Sequence, residues 1–256
     1  MLSKIINIIF PDKKTKELNR LYQQKRYVPG ISELYGFPMR FADALTFIHG
    51  GEEIFSKQIY MFETQKENPL IVDCGANIGL SVVFFKRIFP KAKIVAFEPD
   101  KQLFSILKMN IEKYKDVELF DKAVWINNGT IDFQQEGGFS GRIPKIGDIT
   151  NIVKVPSVRL KDIINKPIDM LKIDIEGAEY EVIKDCADVL NFVDKIFIEY
   201  HSHIDEPQKL DELLSIIRNA GFRYHIQEAY TRNKPFVDKE LMLGMDLQLN
   251  IFGYRN

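Results

Sequence analysis

The sequence predicts an α/β fold, a sheet assembled from βαβ units, and three observations predict it. From Pro69 onward, short apolar runs alternate with helical patterns. The stretch IVDCGANIG, Ile71 to Gly79, reads as a buried strand, a glycine turn and the start of a helix. The chain has 256 residues, 45% of them hydrophobic, enough for one such domain with an extension.

The elements follow in order. Residues 1–30 read as a basic helical segment ending at Pro29-Gly30. Residues 31–68 are rich in aromatics (Tyr35, Phe37, Phe41, Phe47, Phe55, Tyr60, Phe62) and read as a cap packed on the core. The first strand ends at Ile71-Val72, and Leu80–Phe89 is a mostly apolar helix. Lys93–Pro99 is the second strand, and Asp100 is the N-cap of a helix running to Lys113. Val117–Trp125 is a third strand, with Gly129–Gln134 as a short hairpin partner. Residues 136–150, glycine-rich and without apolar periodicity, form a loop. Ile168–Asp174 is the fourth strand, followed by a helix from Glu179. Lys195–His201 is the fifth, and Pro207–Ala220 is a helix closed by Gly221. FRYHIQEAY and LQLNIFGYR complete the sheet, with a polar loop at 231–234 between them.

Composition excludes several classes. The net charge of −1 implies no nucleic-acid partner. Residues 1–30 carry seven Lys/Arg against two Asp/Glu. A solvated helix face is the preferred explanation, with weak peripheral membrane contact as the second. The run Ile5–Phe10 is too short to span a bilayer, and no small-residue cleavage site follows it. Cys74 and Cys186 lack metal-binding spacing and read as reduced thiols, so a cytoplasmic location is expected. Asn128-Gly129-Thr130 matches a glycosylation acceptor but reads as a plain turn.

The glycine turn carries the first chemical clue. A dinucleotide site needs G-x-G-x-x-G so that the backbone can approach a pyrophosphate. Here the pattern is D-x-G-x-x-x-G, with Asp73 where the first glycine would stand. A carboxylate repels a pyrophosphate but favours an ammonium or a sulfonium. The helix N-terminus beyond Gly79 still suits a carboxylate. An amino-acid end, a positive sulfur and no phosphate describe S-adenosylmethionine. The cofactor is expected along Asp73, Cys74, Gly75, Ala76 and Asn77, with Gly79 and Ser81 at the helix start. Glu98, before Pro99 at the end of the second strand, is placed to accept both ribose hydroxyls. Asp121, followed by Lys122-Ala123, is expected at the adenine.

These landmarks occur in a specific order: DCGANIG, FEP, DKAVW followed by GTIDF, LKIDIEGAE and IEYH. Across roughly residues 69–203 the chain resembles the FkbM family of S-adenosylmethionine-dependent methyltransferases, and LKIDIEGAE is the most discriminating piece. The resemblance implies a Rossmann-like class I methyltransferase fold, a mainly parallel twisted sheet with an antiparallel last strand and helices on both faces. The chain reads as a helical and aromatic cap, residues 1–68, followed by a methyltransferase domain, residues 69–256. The resemblance also implies O-methylation of a sugar or natural-product hydroxyl.

The strand ends suggest how a hydroxyl would be activated. Strand alternation puts Lys172 and Asp174 on one side of their strand, and Glu199 and His201 on one side of theirs. His201 is the first choice for a base taking the hydroxyl proton, because its ordinary pKa suits neutral pH. Glu199 orients it or is itself the base, and Asp174 positions the acceptor or the cofactor. Lys172 is expected to pair with a carboxylate, and Glu176 and Glu179 to charge a helix start. No metal is required by the spacing. A hard-cation site of Asp174, Glu199, His201 and His203 is the minority alternative. His49 and His225 stand apart and read as structural. Phe139, Arg142, Tyr230, Arg232 and Phe236 are expected to cover the acceptor. The rivals are a lipid or polyketide acceptor, a non-catalytic module that binds S-adenosylmethionine, and a nicotinamide oxidoreductase, which the missing G-x-G-x-x-G disfavours.

Overall fold

The computed structural model describes residues 12–135, 141–142, 144 and 151–255. The cap begins with helix α1 (Lys13–Tyr22) and a two-stranded ribbon of β1 (Gly30–Ser32) and β2 (Met39–Phe41). Helix α2 (Ala44–Gly51) follows and runs into a π-helical turn over Glu52–Ser56. The cap is therefore mixed, with less helix than the basic N-terminal pattern suggests.

The main sheet begins with β3 (Leu70–Cys74), helix α3 (Leu80–Ile88), β4 (Lys93–Phe97), helix α4 (Lys101–Ile111) and β5 (Val117–Phe120). A second sheet then forms from β6 (Ala123–Trp125), β7 (Gly129–Gln135), β8 (Gly141–Arg142) and β9 (Ile152–Arg159). After the short helix α5 (Leu160–Ile163), the chain returns to the main sheet with β10 (Ile168–Ile173), helix α6 (Glu179–Asp185) and β11 (Val193–His203). Helix α7 (Leu210–Asn219), β12 (Arg223–Thr231) and β13 (Met245–Tyr254) complete it. The spatial order is β12-β13-β11-β10-β3-β4-β5. Every neighbouring pair from β11 to β5 is parallel, and β13 alone runs against its two neighbours β11 and β12. The expected sheet with an antiparallel last strand is present.

Local chemistry accounts for these elements. β10 is buried at all six positions, as a parallel strand covered on both faces must be. Asp100 caps α4 by accepting from the N–H groups of Gln102 and Leu103 at 2.8 and 3.0 Å. Gly221, at φ +88°, turns the chain after α7.

Two expectations need correction. The run 117–125 is not one strand. Phe120 stacks on Phe97 in the main sheet, with centroids 5.2 Å apart, and the chain then leaves at Asp121-Lys122 to pair Ala123–Trp125 with β9. Gly129–Gln135 pairs antiparallel with β9, not with the preceding strand. β9 itself was not anticipated; it holds Pro156 within a strand, opposite Thr130. Most of the 136–150 loop, including Phe139, lies outside the described residues.

The cap shares one apolar core with the sheet. Tyr60 meets Phe197 of β11 at 4.8 Å and Phe85 of α3 at 5.8 Å, and Phe55 meets Phe84 at 6.1 Å. Asn110 of α4 ties the two parts together. It accepts from Arg40 N–H at 2.8 Å and donates to the carbonyls of Arg40 and Ile78. The cap is thus pinned over the carboxyl ends of the central strands.

Candidate functional site

The turn after β3 depends on glycine. Gly75 sits at φ +86°, and a Cβ there would stand 1.8 Å from the Asp174 carbonyl oxygen. Only glycine lets the ends of β3 and β10 approach so closely. The N–H groups of Gly75 and Ala76 both donate to the Phe97 carbonyl, at 3.1 and 2.9 Å, which fixes the turn against β4. Behind it lies a buried charge cluster. Lys172, 2% exposed, stands 3.2 Å from Asp73 Oδ1 and 3.2 Å from Asp174 Oδ2, and donates to the Gly75 carbonyl at 2.9 Å. Burial works against its charge, but Asp73 and Asp174 more than offset that and raise its pKa well above the ordinary lysine value. Ser81 Oγ donates to Asp73 Oδ2 at 2.5 Å, joining α3 to the same cluster.

Two clefts open on this turn. The first runs past Glu98, Pro99, Lys122, Ala123 and Val124 to Asp174 and Glu176. Glu98 is 5% exposed and accepts from the N–H groups of Asn77 and Asp100, each at 2.8 Å. Burial nevertheless pushes its pKa up to about 8. Three carboxylates against one lysine line this cleft, with apolar walls from Phe97 and Phe133. That combination suits a cationic nucleoside without phosphate, so the residues present fit S-adenosylmethionine.

The second cleft lies between the cap and the strand ends. Thr46, Glu53 and Tyr60 line it from one side, and Lys172, Asp174 and Glu199 from the other. Gly75, Asn77 and Asp174 belong to both clefts. Burial, then the nearby Asp174, raises the Glu199 pKa to about 8. Gln248 of β13 donates to Glu199 Oε1.

His201 lies behind this wall and lines neither cleft. Its Nδ1 is 3.0 Å from Glu179 Oε1, and its Nε2 is 3.6 Å from Glu176 Oε2, 4.0 Å from Glu199 Oε1 and 3.3 Å from Gln248 Nε2. Burial opposes its protonation, but Glu179 and then Glu176 overcome it and raise the pKa well above the ordinary histidine value. The ordinary imidazole pKa that motivated His201 as a base does not hold in this pocket.

The expected cofactor residues divide in the same way. Gly75, Ala76, Asn77, Ser81, Glu98, Pro99, Lys122, Ala123 and Asp174 each line a cleft. Asp73, Cys74, Gly79 and Asp121 do not. Asp73 and Cys74 are fully buried, so Asp73 acts on the turn through Lys172 and Ser81. Gly79 is packed on Leu107, and Asp121 points to solvent. His49 and His225 are exposed and line neither cleft, although His49 adjoins Gly50 of the second, and Phe236 is fully exposed. Sequence reasoning missed the cap lining and the inward roles of Glu179 and Gln248. Glu179 was visible only as a helix-start acid, and Gln248 reaches the site through strand pairing alone, opposite His201.

The comparisons follow this geometry. The family profile described as "Methyltransferase FkbM domain" matches residues 73–224. "Methyltransferase sdnD" of Sordaria araneosa is 31% identical over 52% of this chain and 66% of its own length. "Hexuronic acid methyltransferase AglP" of Haloferax volcanii is 25% identical over 73% of this chain and 80% of its own. A crystal structure of methyltransferase FkbM from Methylobacillus flagellatus KT superposes with a TM-score of 0.50 at 17% identity, covering 75% of this chain and 45% of that one. The chain thus spans just under two thirds of sdnD and less than half of the Methylobacillus chain. With the family profile matching more than half of the chain and the glycine turn, Glu98 and the IDIEGAE segment all inside the match, the chain belongs to the FkbM methyltransferase family, whose cofactor is S-adenosylmethionine.

Proposed function

We propose that the protein is an O-methyltransferase acting on a hydroxyl of a sugar, a glycan or a glycosylated metabolite. One observation carries the reading: a cleft lined by Glu98, Pro99 and Ala123 and a second, cap-lined cleft share Asp174. A group-transfer enzyme needs two sites that touch at one point, whereas a binding module needs one. AglP, named for a hexuronic acid, supports a sugar as the acceptor class.

Bound S-adenosylmethionine supplies an electrophilic methyl group on a positively charged sulfur. The protein's work is then positioning and proton transfer. Glu98 holds the nucleoside end, and the Gly75–Asn77 turn holds the amino-acid end. Asp174, common to both clefts, orients the acceptor hydroxyl. Glu199 opens on the acceptor cleft and takes the hydroxyl proton on a carboxylate oxygen, a role worth about 10²–10⁴-fold in rate. His201 has both ring nitrogens engaged and acts through its neighbours. The cap, residues 1–68, closes the acceptor side of a catalytic unit formed by residues 69–256.

The test is incubation with S-adenosylmethionine and a panel of neutral, amino and uronic sugars, with products read by mass. A gain of one methyl on a sugar oxygen, lost in Glu199→Gln with cofactor binding retained, supports the reading. Methylation of nitrogen or carbon acceptors alone would overturn it.

A further inference from the structure

We infer that Asp174, Glu176 and His201 form a binding site for one divalent cation of the Mg²⁺ or Mn²⁺ class. One ligand atom from each residue lies within 4.8 Å of the other two, and His201 Nε2 is 3.6 Å from Glu176 Oε2. A single ion among them reaches all three at lengths of about 2.0–2.6 Å with small side-chain adjustments. Neither Glu199 nor His203 of the sequence-based alternative is part of this set, and Glu176 joins Asp174 and His201 instead.

The histidine distinguishes this cluster from a patch of acids. Its Nδ1 faces Glu179 Oε1 at 3.0 Å and donates there, which directs Nε2 towards Glu176 at 3.6 Å, where a bound cation takes the place of the Nε2 proton. Glu179 is itself held, accepting from the N–H groups of Ile175 and Gly177 at 3.1 and 3.0 Å, and is 1% exposed. A carboxylate that orients a histidine from behind is the usual support of a metal-bound imidazole.

Charge points the same way. Asp174, Glu176, Glu179 and Glu199 surround His201, while Lys172 is shared between Asp174 and Asp73. A divalent cation is attracted to these acids. Two carboxylates and an imidazole leave about three positions of an octahedral ion open for water and a substrate oxygen. Asp174 and Glu176 both line the nucleoside cleft, so the ion faces the point where the clefts meet. There it would hold the acceptor oxygen and ease loss of its proton to Glu199. This role, unlike the binding itself, rests on the O-methylation reading.

The experiment reads binding without turnover. The full chain is dialysed against EDTA, titrated with Mn²⁺, and followed by electron paramagnetic resonance and calorimetry. One saturable site per chain is expected. Glu176→Gln should weaken it at least tenfold, and Glu179→Gln by about 10–100-fold through loss of imidazole orientation. Glu176 is partly exposed, so its variant is expected to fold, and circular dichroism and the melting temperature check this. His201→Asn serves as a second ligand variant. Absence of saturable binding at millimolar Mn²⁺, or equal binding in folded Glu176→Gln and His201→Asn, overturns the site. Mn²⁺ binding that depends on these residues, with no sugar methylated, upholds the cation site and counts against the acceptor reading alone.

Discussion

Lys172 is one cation, 2% exposed, between two carboxylates. Lys172→Met would leave Asp73 and Asp174 without it, and breaking a buried pair from one side costs about 3–5 kcal/mol. We expect a loss of that size in urea unfolding. Lys172→Met/Asp73→Asn should recover part of it by removing the stranded charge, and failure of the second change to help would show that the cluster is held by hydrogen bonds. Glu98 makes a pH prediction. Its pKa rises from the ordinary glutamate value of about 4.5 to about 8 in the folded chain, so the native state holds a proton that the unfolded chain releases. The stability this contributes is full below about 4.5 and is lost as pH rises through 8, by up to about 1.4 kcal/mol per pH unit. Glu98→Gln should flatten the fall in melting temperature across that window. An unchanged slope would locate the titration elsewhere.

Two elements shape the clefts, and each can be loosened separately. In the turn after β3, Gly75→Ala would drive a methyl group into the Asp174 carbonyl, so the ends of β3 and β10 must part. Loss of cofactor binding together with a marked drop in melting temperature is expected. Helix α2 is set by Asp43, which accepts from Thr46 N–H at 3.0 Å, Tyr27 N–H at 2.8 Å and Arg26 Nε at 2.9 Å. Asp43→Ala removes an N-cap worth about 0.5–2 kcal/mol and leaves Arg26 without this partner. Because α2 carries Thr46 and Gly50 into the acceptor cleft, the acceptor KM should rise more than the cofactor Kd. Equal rises in both would mean that α2 only supports the fold.

At the scale of the whole molecule, cofactor binding to the native state alone should stabilise it by mass action. At about 100 times the Kd, S-adenosylmethionine adds about 2.7 kcal/mol, roughly 5–10 °C in melting temperature for a chain of this size. NAD should add nothing, since Asp174 and Glu176 line the cleft and would repel a pyrophosphate. A matching shift with NAD would reverse that reading of the cleft. Among the described residues no helix is long and apolar enough to cross a membrane.

The sequence by itself determined the alternation of strands and helices from Pro69 onward, the glycine turn, the cap of α4 at Asp100 and the cofactor class. These are set by local rules: apolar periodicity, left-handed backbone that favours glycine, and a carboxylate where phosphate would be repelled. Glu98 was legible for the same reason, because its place at a strand end follows from strand length alone. Only the tertiary structure decided that Val117–Trp125 divides between two sheets, that Pro156 sits within a strand, and that the cap supplies one wall of a cleft. It also decided the standing of His201. Period-two alternation put Glu199 and His201 on one side of β11, but it contained no information about Glu179 arriving from α6 or Gln248 from β13. Those contacts join residues 22 and 47 positions away from His201. A side chain's protonation and orientation depend on every charge packed around it, and long-range pairing brings those charges together only after the chain has folded.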